Sequence, residues 1–323
     1  MSRKGTTHVK PRYLALALLG LLAVGCDVFT PRTATQFQTS SNTVDVFARN
    51  DTLLVATSDS GLLAFDITKP KEPRELWRAA LGRDCRRVIA VGAATYVGTD
   101  SGIVIYHIPT GDRTRQYAGG TSQVVTGLVA DSTRLYAATA DGVTVFSLTS
   151  PDPVKYIPMA GEPTGVARHD TRLFVSLRDW GVRMFSILPG DSFVLDTLQL
   201  GQRTRAEDVT VTANGFCIAL QGKSGPNFEY TPASDSIVWG GGGGGGNTSA
   251  YAAAATEGTE QVSVYIADSS SVTFTTITNK PNEGRLSTEA GPDLSGFTRR
   301  ICLGGNGYVY TASGDAGIYI IRE

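Results

Sequence analysis

Residues Leu53 to Ile67 read LLVATSDSGLLAFDI, an apolar run, a turn of Ser, Asp and Gly, and a second apolar run. Asp and Ser tolerate tight turns and Gly supplies positive φ, so the stretch is a β-hairpin. The chain then copies it. Thr95 to Ile108 read TYVGTDSGIVIYHI, Leu135 to Leu148 read LYAATADGVTVFSL, and Leu173 to Ile187 read LFVSLRDWGVRMFSI. Tyr308 to Ile321, YVYTASGDAGIYII, is the last copy.

A third β-prone run precedes each hairpin, as in VDVFA from Val44, VIAV from Val88 and VTVT from Val209. A weaker fourth follows, as in ELWRAAL from Glu75 and FVLDTL from Phe193. Four short antiparallel strands per repeat make one propeller blade. The turn glycines Gly61, Gly102, Gly142 and Gly181 are spaced by 41, 40 and 39 residues. Degenerate turns near Gly225 and Ser270 lead on to Gly317, which makes seven turns. The fold expected is all-β, a seven-bladed propeller. Six blades is the alternative, because the fifth and sixth copies are weak. The last copy stops at Glu323 after a third strand, and Thr33 to Ser40 could supply the missing outer strand.

Gly61 to Pro73, GLLAFDITKPKEP, resembles the LVIVD repeat of bacterial and archaeal surface proteins. That repeat runs glycine, an aliphatic strand ending in aspartate, and a proline-marked exit. Gly142 to Pro153, GVTVFSLTSPDP, is similar, with Ser147 in the place of the aspartate. The resemblance implies a propeller and an exported location. It brings no general activity with it.

The N-terminus reads as an address. Arg3, Lys4, Lys10 and Arg12 precede a 12-residue apolar stretch from Tyr13 to Val24, followed by Gly25 and Cys26. Charged start, apolar middle and small-residue end are the parts of an export signal. The stretch is shorter than the roughly 20 residues a spanning helix needs. Leu22-Ala-Val-Gly-Cys26 resembles the lipobox of bacterial lipoproteins, with Ala23 where that family most often has leucine. The resemblance implies cleavage before Cys26 and acylation of that cysteine, which would anchor the chain in a bilayer. The expected layout is residues 1–25 as signal, 26–42 as a lipidated tether with a ring-closing strand, and 43–323 as propeller. Inner and outer membrane, periplasmic face and cell surface, all stay open.

Composition narrows the functions further. The whole chain carries a net charge of −1, but the signal holds four bases and no acids, leaving 25 bases against 30 acids beyond it. A mildly acidic surface disfavours nucleic-acid binding. His107 alternates with apolar neighbours in a strand, and His169 sits beside Asp170 at a hairpin tip, which is poor ground for a triad. Gly222-Lys-Ser-Gly225 lacks the leading glycine of a phosphate loop. No pattern calls for a metal or cofactor, and no catalytic residue is assigned.

What remains is a face. Loops between second and third strands share one side of a propeller with the loops that join blades. That side would carry Asp59, Asp100, Asp141, Asp179 and Asp315, with Trp180 beside one of them. The inter-blade loops would add Arg83, Arg86, Arg87, Arg203, Arg205, Arg299 and Arg300, with Asp84, Glu207 and Asp208. Turn-making aspartates and arginines paired to acids account for these residues one by one. As a set they form a candidate docking face for an envelope protein or glycan. The function expected is a membrane-anchored, non-catalytic binding scaffold. The alternatives are a hydrolase or lyase acting on a sugar or lactone at the central channel, and a structural lipoprotein within an envelope complex.

Overall fold

The computed structural model describes residues 32–323 apart from 60, 118–123, 151, 201–204, 213–216, 222–224, 232–235, 239–249, 258–260, 269–270 and 279–285. The signal, Cys26, Arg203 and the glycine run 240–246 lie outside that set. The described residues form seven four-stranded antiparallel sheets and no helix. The sheets begin with Thr43–Arg49, Cys85–Val91, Gly127–Ala130, Pro163–His169, Ala206–Val211, Ala250–Glu257 and Arg300–Leu303. Each of these first strands lies beside the first strand of the next sheet, and Arg300–Leu303 lies beside Thr43–Arg49. The series closes into a ring, so the fold is a β-propeller with first strands innermost. The blades are numbered 1 to 7 in chain order.

The central hairpin of blade 1 shows why these sequences make blades. Strands Thr52–Thr57 and Gly61–Asp66 are buried along almost their whole length, on both faces. A middle strand is covered by the neighbouring blade on each side, so it reads as a continuous apolar run rather than an alternating one. Leu53, Leu54, Leu62 and Leu63 are fully buried, each stabilising the fold by about 1.5–3 kcal/mol. One face of blade 1 packs with Val88, Val97, Val104 and Tyr106 of blade 2. The other packs with Tyr310, Ala312, Ile318 and Ile320 of blade 7. The fourth strand, Arg74–Ala79, meets water and is mostly exposed and polar.

The turns are built from a repeated threonine. Thr57, Thr99 and Thr139, all fully buried, donate their hydroxyls to the carbonyls of Gly61, Gly102 and Gly142 at 2.8, 2.9 and 3.2 Å. That bond satisfies a backbone acceptor inside the tight turn.

Blade 7 takes its outer strand from the start of the domain. Ala34–Phe37 pairs antiparallel with Ile318–Arg322, with Ala34 opposite Ile321 and Phe37 opposite Ile318. Phe37 meets Phe65 of blade 1 edge-on at 5.2 Å between ring centroids. Thr43 exchanges backbone hydrogen bonds with Gly314, and its hydroxyl donates to the Gly317 carbonyl at 2.7 Å. Gly317 has φ +82°, and a Cβ there would lie 2.5 Å from the Phe37 carbonyl oxygen. Only glycine gives both the turn and the close approach.

Candidate functional site

One position recurs on every innermost strand. Asp45 lies opposite Ala56, Arg87 opposite Gly98, Gly127 opposite Ala138, and Gly165 opposite Ser176. Asp208 lies opposite Leu220, Ala252 opposite Ala267, and Arg300 opposite Ala312. Register shifts precede this position in blades 1, 2, 4, 5 and 6. Such bulges re-aim the side chain that follows them. Around the ring the layer therefore reads Asp, Arg, Gly, Gly, Asp, Ala, Arg.

The four charged members share the channel. Arg300 contacts Asp208 at 2.7 Å, and both side chains are 13% exposed. Asp45 accepts backbone N–H groups from Val46 at 3.0 Å and, across the blade boundary, from Val88 at 2.9 Å. Burial raises the Asp45 carboxyl above its ordinary value, and the Arg87 and Arg300 charges offset part of that rise. Burial, reinforced by the charge of Arg300, pulls Arg87 down to about 9, which leaves it cationic at neutral pH. The glycines make room for this: a Cβ on Gly165 would lie 2.6 Å from the Asp208 carboxylate. Two acids and two bases balance, so the layer is neutral overall.

Above it, on the side of the inter-blade loops, opens a cavity of about 350 Å³. Its wall carries Arg86, Arg87, Arg178, Arg299 and Arg300 against Asp84 and Glu207. Both acids are engaged, Asp84 with Arg86 at 3.7 Å and Glu207 with Arg205. Arg178 contacts Glu162 at 2.8 Å. Arg299 lies 5.9 Å above the ring of Phe297. Phe297 is 40% exposed and pairs with Tyr251 at 4.6 Å between centroids. Asn42 and Thr126 also line the wall, and Asn42 Oδ1 and Thr126 Oγ1 are buried without a hydrogen-bond partner.

The cavity gathers part of the face expected from sequence. Arg86, Arg87, Arg299 and Arg300 line it, and Arg205 reaches it through Glu207. Arg83 instead donates to Ser101 at 2.7 Å. Asp59, Asp100, Asp141, Asp179 and Asp315 do not line it; from the turns between second and third strands only Ser58 and Arg178, each directly after its second strand, reach the wall. Asp100 accepts from the Ser101 hydroxyl at 3.0 Å, and Asp141 offers its carbonyl to Tyr156 at 3.0 Å. Trp180 is 41% exposed, packs on Gly161 and has Arg183 at 6.0 Å. Arg178, Tyr251, Phe297, Asn42 and Asp45 escaped the sequence reading. Asp45 left one signal, a lone charge inside an apolar strand.

His107, His169, Cys85 and Cys302 have local partners or are wholly or partly buried, and Cys85 also borders the cavity. His107 sits with Thr110 at 3.3 Å, and His169 faces Asp170 at 3.6 Å at the hairpin tip. Cys85 is buried and Cys302 partly buried, both as free thiols, and burial pushes Cys85 up to about 12. Among the described residues no three His, Cys, Asp or Glu side chains converge as a metal-ligand set.

No protein-family model matches this chain, and no curated protein matches it. Among solved structures it is similar to the computationally designed Ika8 protein, with a TM-score of 0.61 and 12% identity. The alignment covers 90% of this chain and 98% of that one. At that identity the likeness is one of fold.

Proposed function

We propose that this chain is a bacterial envelope lipoprotein, tethered through acylated Cys26, whose propeller binds a partner without catalysing a reaction. The export-signal pattern of residues 1–25, the lipobox-like Leu22 to Cys26, and the LVIVD-like stretches at 61–73 and 142–153 support the tether and the location. The observation that carries the binding reading is the state of the acids at the channel mouth. Asp84, Glu207 and Asp208 each face an arginine, and Asp45 is held by two backbone N–H groups. Carboxylates committed in this way recognise and position; a general acid or base needs a proton-active group within reach of substrate.

Mass spectrometry of the membrane fraction tests the tether. The N-terminal peptide should begin at an acylated Cys26, and Cys26→Ser should move the protein to the soluble fraction. A soluble wild type with an unmodified cysteine would refute it. Turnover of a sugar or lactone by the purified protein, abolished by Asp84→Asn or Glu207→Gln, would replace the binding reading with the hydrolase or lyase one.

A further inference from the structure

We infer that the mouth cavity takes the carboxylate-bearing end of an acidic saccharide; this rests on the binding reading above. The wall carries five arginines, of which Arg86, Arg178 and Arg300 pair with Asp84, Glu162 and Asp208, and Arg87 belongs to the neutral layer. Glu207 is engaged with Arg205, so the positive charge left open to a ligand is that of Arg299. Arg299 is the freest of the cations, since its described contact is the Phe297 ring rather than a carboxylate. A guanidinium fork matches a carboxylate in shape and charge.

The rest of the wall selects among anions. The tilted pair of Tyr251 and half-exposed Phe297 offers the apolar surface that the C–H face of a sugar ring covers. Asn42 and Thr126 bring an unpartnered amide oxygen and hydroxyl, and small side-chain rotations would turn them to a polyol. A volume of about 350 Å³ is at the low end for small-ligand sites, the size of one or two sugar rings rather than a folded partner.

The test is calorimetric titration of the full-length protein in detergent with a trimer of galacturonic acid. Its methyl ester, uncharged and one methyl group larger at each carboxyl, its primary amide, uncharged and close to the acid in size, and inorganic phosphate are titrated in parallel. The acid should bind with one-to-one stoichiometry, at least about tenfold tighter than the ester or the amide, the loss expected for one charge-assisted contact. Arg299→Gln and Phe297→Ala should each weaken it with the melting temperature unchanged, and Arg183→Gln, outside the cavity, should not. Equal binding of the acid and either uncharged form overturns the inference, as does binding of phosphate alone. No binding of any probe also overturns it. That result leaves the parent reading standing on Cys26 acylation and on crosslinking of the propeller to another envelope component.

Discussion

Asp45 shows how much one side chain can organise. Its two oxygens hold N–H groups from adjacent blades, and its charge acts on both the Arg87 and the Arg300 guanidinium groups. Asp45→Ala should cost about 3–5 kcal/mol in urea denaturation, the penalty for leaving buried charge uncompensated. A loss below about 1 kcal/mol, typical of an ordinary surface site, would show that the layer does not act as a unit. The residue also marks a limit of sequence reading. Asp45, Arg87, Asp208 and Arg300 are scattered over more than 250 residues, and each alone looks like a stray charge in a strand. Only the ring brings them together.

At the level of the strand and the turn, the sequence was far more legible. Hairpins of blades 1 to 4 could be drawn from turn glycines and apolar runs, because both signals are local. Blades 5 and 6 were weak in sequence because their turn positions lack the Asp-Ser-Gly pattern and their spacing stretches to 44, 45 and 47 residues. The bonds that join blade to blade were invisible. Arg134 of blade 3 reaches Asp191 of blade 4 with two hydrogen bonds, at 3.0 and 2.7 Å. Asp191 holds φ +56° in its turn, and its bond to Arg134 lowers the carboxyl below its ordinary 3.8. An acid with a lowered folded-state value stabilises the fold above pH 3.8 and loses that contribution as pH falls through the lowered value. Asp191→Asn should therefore lower stability at pH 7 and flatten its decline as pH falls to and below 3.8 in urea melts. An unchanged acid limb would assign that decline to other carboxylates. Asp45, raised by burial, pulls the other way, and its own contribution shrinks as pH rises.

The ring as a whole depends on its closure. Every blade has two faces to cover, and the outer strand of the last blade comes from the start of the domain. Gly317 and Gly190 offer a controlled comparison, with φ values of +82° and +77°. A Cβ at Gly190 meets nothing within 4 Å, whereas at Gly317 it strikes the closing strand at 2.5 Å. Gly190→Ala should cost about 1–2 kcal/mol from backbone strain alone. Gly317→Ala should cost more and make the 32–42 segment susceptible to protease. Equal losses and equal protection would mean the strand is not what holds the ring shut.

The closing strand also gives the molecule a direction. Its register sets Ala34 opposite Ile321, next to the chain's end at Glu323, while Gln38 reaches the turn at Asp315 with a 2.7 Å bond. That turn belongs to the side on which the inter-blade loops and the mouth open. The closing strand therefore starts on the face opposite the arginine-lined opening and runs toward it, so the ring is sealed from one face to the other by a single short segment.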